Sequence, residues 1–184
     1  GKRVAFSRGS SAHNLTVAAL EKAGLAYSDI TPVYLAPADA AAAFQRGNID
    51  AWTIWDPYYA IYETQPGVRV LAKSSDITPQ NSFFMARREY VEANPDIIGK
   101  AIAEFGHVGK WTAGNRPAVA KLVSEATGVP QDAMLRALQR NPLEVLPMDD
   151  SFARSQQEEA DRFHKLGLIP RAIDVREEIW RATA

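Results

Sequence analysis

The chain has 184 residues, 46% of them hydrophobic and 23% charged, which is enough material for one globular domain with a proper buried core. Lys plus Arg (21) nearly balances Asp plus Glu (22), and the net charge of -1 gives nucleic acid or an anionic membrane surface no general electrostatic claim on it, so any anion selectivity must be local. The absence of cysteine excludes thiolate catalysis, disulfides and Cys-ligated metals together, and no apolar run approaches the roughly 20 residues of a spanning helix.

In chain order, Val4 to Ser7 reads as a strand, Ala12 to Ala23 as a helix, Thr31 to Leu35 as a strand and Ala38 to Arg46 as a helix. Ala51 to Ile54 and Pro57 to Glu63 repeat the pair, and Val68 to Ala72 and Ser82 to Ala86 read as two more strands. Gly24, Gly47-Asn48 and Pro66-Gly67 punctuate these elements, and Pro79 blocks a helix in the loop from Ser74 to Asn81. The alternation predicts an α/β lobe with a mostly parallel sheet flanked by helices.

Beyond about Arg88 the pattern changes. Pro95 to Thr112, Pro117 to Thr127, Pro130 to Arg140 and Asp149 to Leu166 read as helices, the first three with proline at or near their starts. Hardly any strand remains there for them to cover, which points to a second lobe whose strands lie outside this chain. Gly1 to Phe6 already read as the edge of a strand with no initiator Met or signal peptide ahead of them, so a trimmed chain is expected.

Chemistry concentrates in three stretches. In Arg8-Gly9-Ser10-Ser11-Ala12-His13-Asn14, Gly9 permits a tight turn, Ser10 or Ser11 is a natural N-cap, and the next backbone N–H groups leave the helix end unpartnered. Two roles are open to such a turn: plain capping, or an anion site where hydroxyls and the positive helix end converge at the carboxyl edge of a parallel sheet. In Asp50-Ala51-Trp52-Thr53-Ile54-Trp55-Asp56-Pro57-Tyr58, alternation places Trp52 in the core, while Trp55 and Tyr58 stand near a strand's carboxyl end, able to wall an apolar tail or simply to pack. Asp56 is a cap or a ligand contact. In Pro79 to Phe84, Asn81 offers an amide to an oxyanion, and Phe83 and Phe84 straddle opposite faces, so only one of them faces a cleft.

His13, His107 and His164 have no paired spacing and no Cys company, which leaves no support for a zinc site and no cofactor to expect. Ser10, His13 and Asp56 can be drawn as a hydrolytic triad, but the Gly-x-Ser-x-Gly elbow is missing. Asp149 and Asp150 suit the first turn of the last long helix and need no other role.

Three groups of residues then occur together in one order: Gly9-Ser10-Ser11-Ala12-His13-Asn14, Pro32-Val33-Tyr34-Leu35 with Pro37-Ala38-Asp39-Ala40, and Asp50-Ala51-Trp52 with Ile54-Trp55-Asp56-Pro57-Tyr58. With Phe163 to Pro170 and Ile173-Asp174-Val175, they closely resemble the periplasmic aliphatic sulfonate-binding proteins of ABC importers, relatives of the taurine- and nitrate-binding proteins.

The resemblance implies two α/β lobes closing on a ligand, with 1–85 as the second lobe and 86–184 as a mainly helical part of an incomplete first lobe. It implies a sulfonate head group held by Ser10, Ser11, Ala12 and Asn14, with Trp55 and Asp56 supplying the aromatic or acidic contact. Tyr58, Asn81 and Phe83 are further cleft candidates. The implied partners are a small sulfonate anion and the importer's membrane permease, with self-association of the fragment and a periplasmic or lipid-anchored extracytoplasmic location. Two other classes share the architecture: a sulfinate-cleaving enzyme, which needs a cysteine absent here, and the effector domain of a LysR-type regulator, which needs a helix-turn-helix upstream.

Overall fold

The computed structural model describes residues 1–181. Three parallel strands form the sheet in the order β2-β1-β3: β1 (Lys2–Phe6) lies at the centre between β2 (Ile30–Tyr34) and β3 (Ala51–Trp52). The register pairs Phe6 with Tyr34 on one side and Ala5 with Trp52 on the other. Flanked on both sides, β1 buries Ala5 and Phe6 completely. Around Ala5, the core adds Ala40 and Ile49, with Val33, Leu35, Phe44 and Trp52 packed against it.

The crossovers follow the punctuation. Helix α1 (Ser11–Lys22) starts on Ser10, whose side chain accepts from the His13 N–H, and the chain turns away at Gly24 with φ +69°. Helix α2 (Pro37–Gln45) opens on a proline, whose missing N–H would be unpaired there in any case, and Gly47 follows it with φ +70°. A short α3 (Tyr58–Tyr62) follows β3. The Trp52 ring packs edge-on against Tyr58 at 6.2 Å and Tyr62 at 5.1 Å and, partly buried, lies against the core on the side that alternation predicts.

Two expected strands are absent. Val68 to Ala72 and Ser82 to Ala86 take no ladder partner, and residues 63–87 are irregular apart from a single 3-10 turn, Ser74–Asp76. An apolar run becomes a strand only where a neighbouring edge accepts its N–H and C=O groups. Of the two outer edges, β3 is only two residues long, and neither run is brought alongside the five-residue β2. Val70, Leu71, Phe84 and Met85 are exposed instead, Met85 at 92%.

The helical half comprises α4 (Arg88–Ala93), unforeseen in the sequence, then α5 (Pro95–Gly114), α6 (Arg116–Thr127), α7 (Gln131–Arg140) and α8 (Asp150–Lys165). Asp149 caps α8, accepting from the Ser151 N–H at 2.8 Å and the Phe152 N–H at 3.2 Å.

Contacts run across the expected division at residue 85. Arg136 of α7 donates to the Ala60 carbonyl at 2.9 Å, and Arg162 of α8 donates to Glu21 at 2.9 Å, so α7 and α8 rest on the sheet-bearing part. The range 86–184 also ends in three residues outside the described ones. Helix α5 differs from its neighbours. Its apolar side, Ile97, Phe105, Val108 and Trp111, is exposed, and Thr112 is its one buried residue. Among the described residues, no helix is long and apolar enough to cross a membrane.

Candidate functional site

Because the three strands are parallel, their carboxyl ends deliver three loops to one edge, with the β1–α1 turn in the middle. This is where open parallel sheets bind ligands. Ser10 Oγ donates to the Ser7 carbonyl at 2.7 Å and accepts from the His13 N–H at 3.3 Å, so its hydroxyl is committed to the cap. The Asn14 N–H goes to the Ser10 carbonyl at 3.1 Å. Ser11 and Ala12 are left: their N–H groups have no acceptor among the described residues, and the Ser11 side chain is exposed with its hydroxyl free. Two amides and one hydroxyl at a positive helix end form a donor set for a small oxyanion. Arg8 adds a cation beside it, its guanidinium 5.5 Å from the centre of the Tyr34 ring.

Asn14 lies elsewhere. It is 1% exposed, and its Oδ1 accepts from Arg162 at 3.3 Å, so its side chain joins α1 to α8. Of the two serines, Ser10 caps the helix and Ser11 leaves its donors open.

The β3 loop stands next to this turn, since β3 pairs directly with β1. Trp55 is exposed at its tip. Asp56 is half-buried and already engaged: Oδ1 accepts from the Ala60 N–H at 3.0 Å, and Oδ2 lies 3.3 Å from Arg140 of α7. Burial raises its pKa above the ordinary carboxylate value, while Arg140 pulls it back down. The Arg140 guanidinium also reaches Glu63 at 2.9 Å and lies 4.3 Å above the Tyr59 ring. Glu63 is held below its usual value chiefly by the hydrogen bond from Arg140.

Tyr58 packs on Trp52, Asn81 is half-buried with no hydrogen-bond partner among the described residues, and Phe83 is exposed beside it in the irregular segment. Phe84 stacks on Phe105 of α5 at 4.5 Å. Among the described residues, no group of three His, Asp or Glu side chains is arranged to hold a metal.

Sequence reasoning missed two networks. One is the Arg136–Arg140–Glu63–Asp56 cluster that clamps the β3 loop; basic residues at i, i+4 on α7 are its trace in the sequence. The other joins His13, Tyr27 and Tyr34. His13 Nε2 lies 3.0 Å from the Tyr27 hydroxyl, which lies 2.9 Å from that of Tyr34. Neither the triad nor a zinc site is served by this arrangement, since His13 faces two phenols.

Comparison with known proteins gives one consistent answer. Residues 1–124 match the model of the NMT1-like family. The chain is 42% identical over 184 residues to a protein of Escherichia coli (strain K12) named for aliphatic sulfonates binding, and 30% identical over 182 residues to one of the same name from Bacillus subtilis (strain 168). It covers 58% and 54% of their lengths. Among solved structures, the periplasmic aliphatic sulphonate binding protein SsuA of Escherichia coli matches with a TM-score of 0.93 at 42% identity, covering 100% of this chain and 60% of that one. The alkanesulfonate-binding protein SsuA of Xanthomonas axonopodis pv. citri, bound to MOPS, matches with a TM-score of 0.87 at 36% identity, covering 99% and 63%. The chain thus spans somewhat more than half the length of these relatives, all of which are named as binding proteins. With a small parallel sheet flanked by helices and a family model matching two thirds of its length, the chain belongs to the NMT1-like family.

Proposed function

We propose that this chain is the ligand-gripping part of a periplasmic solute-binding protein that presents aliphatic sulfonates to the membrane permease of an ABC importer. The observation that carries the reading is the open donor set of the Ser11 N–H, Ala12 N–H and Ser11 hydroxyl, in a chain whose relatives are named for sulfonate binding. A sulfonate keeps one negative charge, shared by three oxygens, at any biological pH, so neutral donors and a helix end hold it without a buried cation. Ser10 supports the turn, Trp55 walls the tail, and Asn81 and Phe83 belong to the cleft. Asp56, drawn aside by Arg140, does not repel the anion. Asn14 and Tyr58 act through packing.

Capture of this kind makes and breaks no bond, so the chain is not an enzyme; two lobes close on the ligand and the importer reads the closed state. The rest of the first lobe belongs to residues that the relatives have beyond the matched region, and the bare side of α5, from Ile97 to Trp111, is where it packs. Alone, the chain self-associates through that side. The names of the relatives favour transport over the regulator and enzyme readings.

The test is isothermal titration of ethanesulfonate, taurine, nitrate and sulfate into this chain and into a form extended to the relatives' length. Sulfonates are expected to bind the extended form tightly and this chain weakly. Ser11→Ala with Trp55→Ala should weaken binding by roughly tenfold or more, the size expected for a lost hydrogen bond to a charged group and a lost apolar wall. An extended form that ignores sulfonates, or takes nitrate and sulfate equally well, would refute the ligand class.

A further inference from the structure

One residue ties the β1–α1 turn twice, once through its ring and once through its backbone N–H. The His13 ring is 1% exposed, stacks on Phe6 at 4.7 Å and lies 5.5 Å from Phe163 of α8. Its Nδ1 is 3.1 Å from the Gly9 N–H. A backbone amide only donates, so Nδ1 accepts, and the proton of the neutral ring sits on Nε2, from which it is donated to the Tyr27 hydroxyl. The backbone N–H of the same residue goes to Ser10 Oγ. His13 therefore occupies the Gly9 amide and the Ser10 hydroxyl, the groups just ahead of the two free amides. Gly9 itself sits at φ +72°, a region that only glycine enters without cost, and the turn gains a fixed shape from this outside tie.

We propose that His13 is a positioning residue for anion capture: by accepting from the Gly9 amide, its neutral imidazole fixes the turn that aims the Ser11 and Ala12 N–H groups at the ligand, and protonation of the ring releases that turn. The proposal rests on the sulfonate reading above. A proton on Nδ1 would face the Gly9 N–H donor to donor, so the tie cannot survive ionisation. Arg8 from the turn, the phenols of Tyr27 and Tyr34, Phe6 from β1 and Phe163 from α8 surround the ring. Arg162, next along α8, is engaged with Glu21 and Asn14. No carboxylate among the described residues hydrogen-bonds the ring. Burial, with Arg8 adding to it, holds the imidazole below its ordinary value of 6.5. The ligand stays ionised throughout, so any pH dependence of capture in this range belongs to the protein.

The test uses the nitrogen-15-labelled form extended to the relatives' length, titrated with ethanesulfonate and followed by NMR, with His13→Leu, which keeps the bulk and removes the acceptor, and His13→Asn, which restores an oxygen near the place of Nδ1. The ring is expected as the Nε2–H tautomer, and ethanesulfonate should shift the Ser11 and Ala12 amides. His13→Leu should weaken binding roughly tenfold, the upper size expected of one lost hydrogen bond, and His13→Asn should recover most of it. Wild-type affinity should fall across the pH interval in which the ring protonates and stay level there in His13→Asn. An Nδ1–H tautomer, a folded His13→Leu chain that binds like wild type, affinity unchanged as the ring titrates, or a ring that stays neutral until the chain unfolds would each overturn the proposal. Wild type with no shift at Ser11 or Ala12 would overturn the sulfonate reading and this role with it, whereas normal binding with indifferent variants would overturn the role alone.

Discussion

Replacing Arg140 with alanine is expected to destabilise the chain by about 2 kcal/mol at pH 7, more than an ordinary surface ion pair contributes. Arg140 serves two carboxylates at once, donating to Glu63 at 2.9 Å and lying 3.3 Å from Asp56, with its plane above Tyr59. Two unit charges 4 Å apart attract by about 4 kcal/mol at an effective dielectric of 20, and desolvation offsets much of that. The Glu63 side chain is 16% exposed and that of Arg140 31%, so the cost falls between the ~0.5 kcal/mol of an exposed pair and the 3–5 kcal/mol, roughly, of breaking a buried one. Arg136, 3.6 Å from Glu63, keeps the loss from being larger.

The pH dependence follows from Glu63. Arg140 lowers its folded pKa below the ordinary value of 4.5, so the unfolded chain takes up protons first as pH falls. The stabilisation is complete above about 4.5 and disappears as pH drops toward the lower folded value. Asp56 has the opposite sign: its raised pKa means that burying its charge costs stability at neutral pH, a cost relieved by protonation. The gap between wild type and Arg140→Ala should therefore shrink below pH 4.5. Urea unfolding followed by tryptophan fluorescence at pH 7 and pH 4, with Glu63→Gln and the double variant, measures both the cost and the coupling. A loss under about 0.5 kcal/mol at pH 7, or a gap that does not change with pH, would refute the clamp.

Gly109→Ala should destabilise the chain by about 1–3 kcal/mol although alanine is the better helix former, because the added Cβ would overlap the backbone carbonyl of Leu143. Gly106→Ala, one turn earlier and facing open space, should instead stabilise it by about 0.5–1 kcal/mol; thermal unfolding of the two variants compares them directly. Val108→Lys with Trp111→Lys should change the stability of this chain by less than about 0.5 kcal/mol, since both side chains are more than half exposed, while abolishing its self-association in sedimentation and strongly destabilising the extended form.

Local chemistry was enough to place much of this. Gly24 and Gly47 end helices because the following turn needs a left-handed residue, Ser10 caps because its oxygen meets an otherwise unpaired amide, and the alternation around Trp52 turns that ring toward the core. These are short-range effects, settled within one turn or one strand pair. The motif order around Ser10, Trp55 and Asp56 likewise pointed to the correct family and to the loop from which two free amides emerge.

What the sequence did not disclose depends on partners far along the chain. Val68 to Ala72 and Ser82 to Ala86 carry strand-like composition, but a ladder needs an edge brought alongside, and neither β2 nor the two-residue β3 pairs with them. Asn14 and Asp56 look like donor and acceptor for a ligand until Arg162 and Arg140, 148 and 84 positions away, engage them. His13 looks like an unattached titratable group until the fold sets two phenols and a backbone amide around its ring. Residue type fixes what a side chain is able to bond. Only packing decides which bonds are already made, and so which donors, here those of Ser11 and Ala12, are left for a ligand.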